Sequence, residues 1–336
     1  LNSSDTRALT ISQTAGQRII AGFDGICSNQ DLKYLIDTIR VGGIILFSRN
    51  IKDRNQLRKL CADAKDYART CGQPPLFIAV DQEGGSVARL APPDFTRLPD
   101  AAAITDIKEA EKFACITARQ LQDVGINMNM APVLDVADPQ VKSIMARRSF
   151  GTDPDYVAEI GSAIIRQFQQ NNIMAVGKHF PGIGRTTLDS HISRPDLDSQ
   201  AHALFSKDLI PFKKAAAQQV AGIMLSHIRY TDLDPMWPAS LSSKIACGIL
   251  RKQMDYNGLI MTDDLEMGGV EKYYGIEEMI FSIIKADIDI ALICRSMDKI
   301  KAAHKTFVRA LKDKYSHRRW AESISRILET KRRYLS

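Results

Sequence analysis

Eight short apolar runs punctuate the chain: RIIAGF at 18–23, GGIILF at 42–47, LFIAVD at 76–81, INMNMAP at 126–132, IMAVGKH at 173–179, AGIMLSH at 221–227, GLIMTDD at 258–264 and IDIALIC at 288–294. Most of them are nearly continuous in apolar character rather than alternating, which is the pattern of strands covered on both faces of a parallel sheet. Most of the gaps leave room for a helix. Eight strand–helix units over more than about 250 residues predict an α/β fold of the (β/α)8 TIM-barrel type. No Pro/Gly/Ser-rich linker, composition shift or internal repeat divides the chain, so residues 1–336 are expected to form one catalytic barrel domain. A doubly wound sheet is the competing architecture. Its Gly-rich fingerprint would have to be GIGRTT at 182–187, which comes late, is separated from its strand by KHFP, and lacks the third Gly.

The polar residues support the barrel. Asp81, Asp135, Lys178, His179, His227, Asp263 and Asp264 all stand where an apolar run stops. In a barrel those positions gather at the C-terminal mouth, where active sites are built. Any one of them taken alone reads equally well as a helix cap; five strands ending in this way are harder to assign to capping.

Composition narrows the function classes. With 45% hydrophobic residues, the chain can bury a large core, and no apolar stretch is long enough to cross a bilayer. The net charge of +6 is mild and gathers in KDKYSHRRW and ETKRRYLS near the C-terminus, which read as a solvated helical face. No basic stripe interleaved with aromatics points to nucleic acid. The six cysteines are scattered without ligand spacing and read as small buried hydrophobes, suited to a reducing compartment. The expected location is the cytoplasm; because the first residue is Leu, a periplasmic or exported form stays open. No metal or organic cofactor is called for, no His/Glu/Cys cluster has ligand spacing, and the protein is expected to be a monomer that touches neither membrane nor nucleic acid.

The stretch VGKHFPGIGRTTLDSH at 176–191 ends in Asp189-Ser190-His191. In an extended segment, side chains two apart fall on the same side, so the carboxylate can orient the imidazole and stabilise its charged form. MTDDLEM closes the seventh run with two adjacent carboxylates. Period-two alternation lets only one of Asp263 and Asp264 face the barrel interior, and parity alone does not say which.

From GQRIIAGFDG through GGIILFSRN, AVDQEGGSVARL, INMNMAPVLDV, RRSFGTDP, GKHFPGIGRTTLDSH, DPMWPASLS and MTDDLEMGG to RILETKRRYL, the chain resembles glycoside hydrolase family 3, in particular its single-domain β-N-acetylglucosaminidases. The resemblance implies Asp263 as the nucleophile of a retaining glycosidase, with His191 as acid/base and Asp189 as its orienting partner. The larger members that draw an acid/base carboxylate from a second domain offer no parallel, because the chain ends soon after its eighth run. PGIG is then expected to be a hinge for the loop after the fifth strand. Sugar hydroxyls are assigned to Asp81, Arg89, Arg148, Lys178 and His179. Arg147 competes with Arg148, and core packing is the alternative for His179. Two positions depart from the family pattern: Ile183 stands where His is common and Ser86 where Arg is common. Arg185, two residues on, offers a cation to a substrate carboxylate or phosphate.

The implied reaction is the removal of terminal non-reducing GlcNAc from peptidoglycan fragments, GlcNAc joined to anhydro-N-acetylmuramic acid with or without peptide, in cell-wall recycling. Its rivals are a β-N-acetylglucosaminide phosphorylase, since a neutral acid/base does not repel incoming phosphate, a broad β-glycosidase, and a non-catalytic sugar-binding protein. The last has no use for a nucleophile.

Overall fold

Each of the eight apolar runs supplies one strand of a closed parallel barrel in the computed structural model, which describes residues 9–141, 144–186, 196–197, 204–313 and 317–335. The strands are Ile19–Ala21, Gly43–Leu46, Phe77–Val80, Met128–Asn129, Met174–Phe180, Gly222–Leu225, Leu259–Asp264 and Ile290–Ile293. Each pairs with its neighbours in sequence order, and the eighth closes on the first through Ile19–Ala291 and Ile20–Leu292. The doubly wound alternative is excluded by that closure.

Alternation along the strands divides the core in two. Ile20, Ile45, Phe77, Ala79, Met128, Met174, Val176, Met224, Leu259, Met261, Ile290 and Leu292 fill the barrel interior. Their neighbours Ile19, Ile44, Ile78, Ala175, Ile223, Ile260 and Ala291 pack under the surrounding helices. Both faces are therefore apolar, which is why the sequence shows unbroken runs instead of a period of two.

The fourth strand is the shortest, with two residues. Asparagine side chains extend its pairing. Asn127 accepts from the Ile78 N–H at 2.8 Å and donates to the Leu76 carbonyl at 3.0 Å, while Asn129 makes the matching pair with the backbone of Gln82. The two polar letters inside INMNMAP thus do backbone work.

The helix His317–Leu335 is only in part the solvated face expected of its basic sequence: Arg318, Arg332 and Arg333 are exposed. On its other side Ile324 and Ile327 enter the inner core, so it stoppers the end of the barrel opposite the C-terminal mouth. Lys331, 2% exposed, donates to the Gln17 side chain at 2.6 Å and the Gly42 carbonyl at 2.8 Å. Arg326 bridges Asp287 and Asp289 at 2.7 and 2.8 Å, and Arg251 reaches Asp289 from the other side at 2.5 Å. Burial pushes the Asp289 carboxyl up, but these two arginines and the Ile260 N–H outweigh it and hold it below its ordinary value. The cysteine reading holds only for Cys61 and Cys294; Cys27 is exposed and the other three are intermediate.

Deleting one partner of a buried charge network leaves the rest uncompensated. Arg326→Ala is expected to cost about 3–5 kcal/mol in urea unfolding. Arg318→Ala, removing a 91%-exposed partner of Glu322, is expected to cost less than about 0.5 kcal/mol. Equal effects would contradict the stopper role of the helix.

Candidate active site

At the mouth, the turn after the third strand is built by Gln82, whose side-chain oxygen accepts from the Arg89 and Leu90 N–H groups at 2.8 and 2.9 Å. That turn, with the antiparallel pair Gln82–Gly84 and Val87–Ala88, sets Asp81, Glu83 and Arg89 around one point. Lys178 rises to it from the fifth strand, its Nζ lying 2.7 Å from Asp81 Oδ1 and 2.7 Å from Glu83 Oε1. Arg148 clamps Glu83 with two bonds of 2.8 Å. Arg147 instead turns outward to Asp100 with its side chain 77% exposed, so of the two adjacent arginines it is Arg148 that belongs to the mouth.

Burial pushes Glu83 up, yet Lys178 and Arg148 bring it down to about 2. Burial disfavours the Lys178 ammonium as well; Asp81 and Glu83 more than compensate, and its value rises above the ordinary lysine range. Arg89 stands at the rim of this cluster, its Nη2 3.9 Å from Asp81 Oδ2, with a buried Nε that has no hydrogen-bond partner.

Asp135, wholly buried, organises the next turn. It accepts from the His179 ring Nδ1 at 2.7 Å, from the His179 N–H at 3.2 Å and from the Ile183 N–H at 2.8 Å. His179, 6% exposed, is therefore oriented by a carboxylate rather than by apolar packing alone. The Gly-rich turn that follows is pinned. Gly182 has φ +126°, and a Cβ there would stand 2.8 Å from the Asp208 Cβ; a Cβ on Gly184 would meet the Val136 carbonyl at 1.7 Å. Tyr230 donates to the Gly182 carbonyl at 2.7 Å. These glycines serve close packing: a side chain at either position would collide with its neighbours. Ile183 is 4% exposed, in the core, and Ser86 is exposed with its N–H on Asp100. Arg185 is taken up by Asp208 at 2.5 Å, so it is not an open cation for substrate. Even so, burial holds the Asp208 carboxyl up at about 6.

The two carboxylates of MTDDLEM are separated by their surroundings. Leu259 and Met261 fill the barrel interior, but the register shifts between Met261 and Asp264, so alternation does not carry through to the two carboxylates and their neighbours distinguish them. Burial pushes Asp263 up, but His227, His179, the Asp264 N–H at 2.8 Å and Lys178 outweigh it and hold the carboxyl below its ordinary value. Asp264 goes the other way, to about 6, raised by burial with Glu266 and Asp263 adding to it. Its Oδ1 accepts from the Glu266 and Cys294 N–H groups at 3.1 and 3.2 Å, a loop-building role. His227, 1% exposed, donates from Nε2 to the Asp264 carbonyl at 2.7 Å and pairs through Nδ1 with the Ser240 hydroxyl at 2.7 Å.

Asp189 and His191 lie outside the described residues. The segment that carries them meets the rest of the fold at Asp196–Leu197, which pairs in parallel with Arg229–Tyr230.

Residues 11–330 match the model for the glycosyl hydrolase family 3 N terminal domain. The chain belongs to glycosyl hydrolase family 3. Among curated family 3 relatives, a protein from Pseudomonas aeruginosa named beta-hexosaminidase is 38% identical over 258 residues, covering 76% of this chain and 75% of that one. A family 3 beta-N-acetylglucosaminidase from Paenibacillus sp. superposes with TM-score 0.94 at 36% identity over 98% of this chain; the chain spans 63% of that protein's length. A family 3 glycosyl hydrolase from Mycobacterium smegmatis superposes with TM-score 0.85 at 29% identity, over 96% of this chain and 97% of that one.

Sequence reasoning assigned no role to Glu83, Asp135 or His227. Asp135 and His227 carried a signal as polar residues ending apolar runs; Glu83 carried only its place in DQEGG, two residues past one.

The opposite shifts of Glu83 and Asp264 give opposite pH dependences. Glu83 is depressed, so its contribution is present above about pH 4.5 and lost as pH falls toward 2. Asp264 is raised, so its ionisation weakens the fold as pH rises from about 4 to about 6. Asp264→Asn keeps the Oδ1 acceptor and is expected to melt a few degrees above wild type at pH 7.5, with the gap closing below about pH 4. Glu83→Gln is expected to cost about 3–5 kcal/mol at pH 7 and less at pH 3. Thermal melts over that pH range check both signs.

Proposed function

We propose that the chain is a retaining exo-β-N-acetylglucosaminidase. The observation that carries this reading is the setting of Asp263 at the end of the seventh strand, where His227, His179 and Lys178 hold its carboxyl below the ordinary value beside a mouth lined by Asp81, Lys178, Arg148, His179 and Arg89. A retaining glycosidase needs such a carboxylate to attack the anomeric carbon as the leaving oxygen takes a proton. In this reading Asp263 forms the bond to the sugar and His191, oriented by Asp189, protonates the departing oxygen. His191 then takes a proton from the water that releases the sugar. The Arg89 guanidinium, whose Nη2 stands 3.9 Å from Asp81, is a donor for a ring hydroxyl at the rim. The names of the relatives support GlcNAc as the sugar removed, and the resemblance to single-domain enzymes supports a leaving group of anhydro-N-acetylmuramic acid from cell-wall fragments. On the same resemblance we assign the protein to the cytoplasm, as a single-domain monomer without cofactor.

Chromogenic β-GlcNAc and β-glucoside substrates, each with and without phosphate, test the reading. Phosphate-independent release from β-GlcNAc alone is expected; phosphate-dependent release would make the protein a phosphorylase, and equal rates on both sugars a broad β-glycosidase.

His191→Ala is expected to slow hydrolysis of a GlcNAc disaccharide by about 10²–10⁴-fold and an aryl glycoside of a low-pKa phenol far less, because a good leaving group departs without the proton. Asp189→Asn should show the same split in weaker form. A uniform loss would move the proton donor elsewhere in the mouth, with His179 on Asp135 the first residue to test.

A further inference from the structure

Among the described residues, the only exposed methionine and the only exposed aromatic are Met236, 70% exposed, and Tyr273, 48% exposed. They stand on the loops after the sixth and seventh strands, and those loops are built onto each other. The Trp237 and Tyr274 rings stack at 5.0 Å with 28° between planes, and the Tyr274 hydroxyl donates to the Met236 carbonyl at 3.2 Å. Asp234, 4% exposed, fixes the Met236 and Trp237 backbone through Oδ1 at 3.1 and 3.3 Å, and accepts from Ser242 at 2.6 Å. An apolar patch on so firm a base marks a binding surface rather than a loose loop.

Its position says what it binds. The strand order places the loop after the sixth strand between the segment leaving the fifth and the end of the seventh. On one side Arg229–Tyr230 pairs with Asp196–Leu197, a few residues beyond Asp189 and His191. On the other, His227 holds the Asp264 carbonyl, next to Asp263. In the glycosidase reading, the anomeric carbon is attacked from the seventh strand while the glycosidic oxygen is protonated from the segment after the fifth, which puts the leaving group beside this loop. A pyranose offers an apolar face of C–H groups to an aromatic or thioether surface.

We infer that Met236, Trp237 and Tyr273 form a leaving-group subsite that takes the pyranose ring on the far side of the cleaved bond. The subsite rests on the glycosidase reading above. It makes the protein favour sugar leaving groups over small alcohols.

Steady-state kinetics of wild type, Met236→Ala, Tyr273→Ala and Trp237→Ala on chitobiose and on methyl β-GlcNAc, whose methanol leaving group is too small to reach the patch, test it. The ratio of kcat/KM for chitobiose to that for methyl β-GlcNAc is expected to fall about tenfold in Trp237→Ala and severalfold in the other two, mainly through KM for chitobiose. Trp237 packs against the core, so the two exposed positions decide the matter if its variant fails to fold. A ratio within about twofold of wild type in both exposed variants would overturn the subsite alone. Failure of the wild-type protein to release GlcNAc from either substrate would overturn the glycosidase reading, and the subsite with it.

Discussion

The Lys178 ammonium is 2% exposed and sits 2.7 Å from each of two carboxylates. A single buried cation of this kind is costly to desolvate and is kept only because Asp81 and Glu83 surround it. Asp81 and Glu83 together carry more negative charge than Lys178 alone can balance, and Arg148 answers Glu83 with a bidentate clamp. The third strand, the fifth strand and the segment before Gly151 are thereby fixed to one another at the mouth. The same ammonium contributes to holding the Asp263 carboxyl below its ordinary value.

Asp263 and Asp264 show how far neighbouring identical residues can be driven apart. His227, His179 and Lys178 stabilise the charge on one, while burial and nearby carboxylates resist it on the other. Divergent values within one pair are how a site separates a reacting group from a supporting one. His227 links the two, since its Nε2 holds the carbonyl of Asp264 while its field acts on Asp263.

Barrel, strand order and most mouth residues were legible because double-sided burial writes itself as apolar runs, and because a strand end is the one place on such a run where a charge can stand. What local pattern does not carry shares a cause. In ETKRRYLS, Arg332 and Arg333 are exposed as charged residues usually are, yet Lys331 is buried at the foot of the barrel by partners over 280 residues distant in sequence. The glycines of PGIG suggest motion, and here they also permit contact with Asp208 and Val136. Arg185 read as an open cation until Asp208 was placed beside it. In each case the deciding neighbour is remote in sequence, and local pattern carries no trace of it.

The central claim is that Asp263 is the residue that bonds to the sugar. Trapping with a 2-deoxy-2-fluoro or 5-fluoro glycosyl donor, followed by peptide mapping, tests it most directly. The carboxylate whose charge His227, His179 and Lys178 stabilise should be labelled, so the glycosyl mass is expected on Asp263, and Asp263→Asn should take none. Label on Asp264, or stoichiometric label in Asp263→Asn, would contradict it.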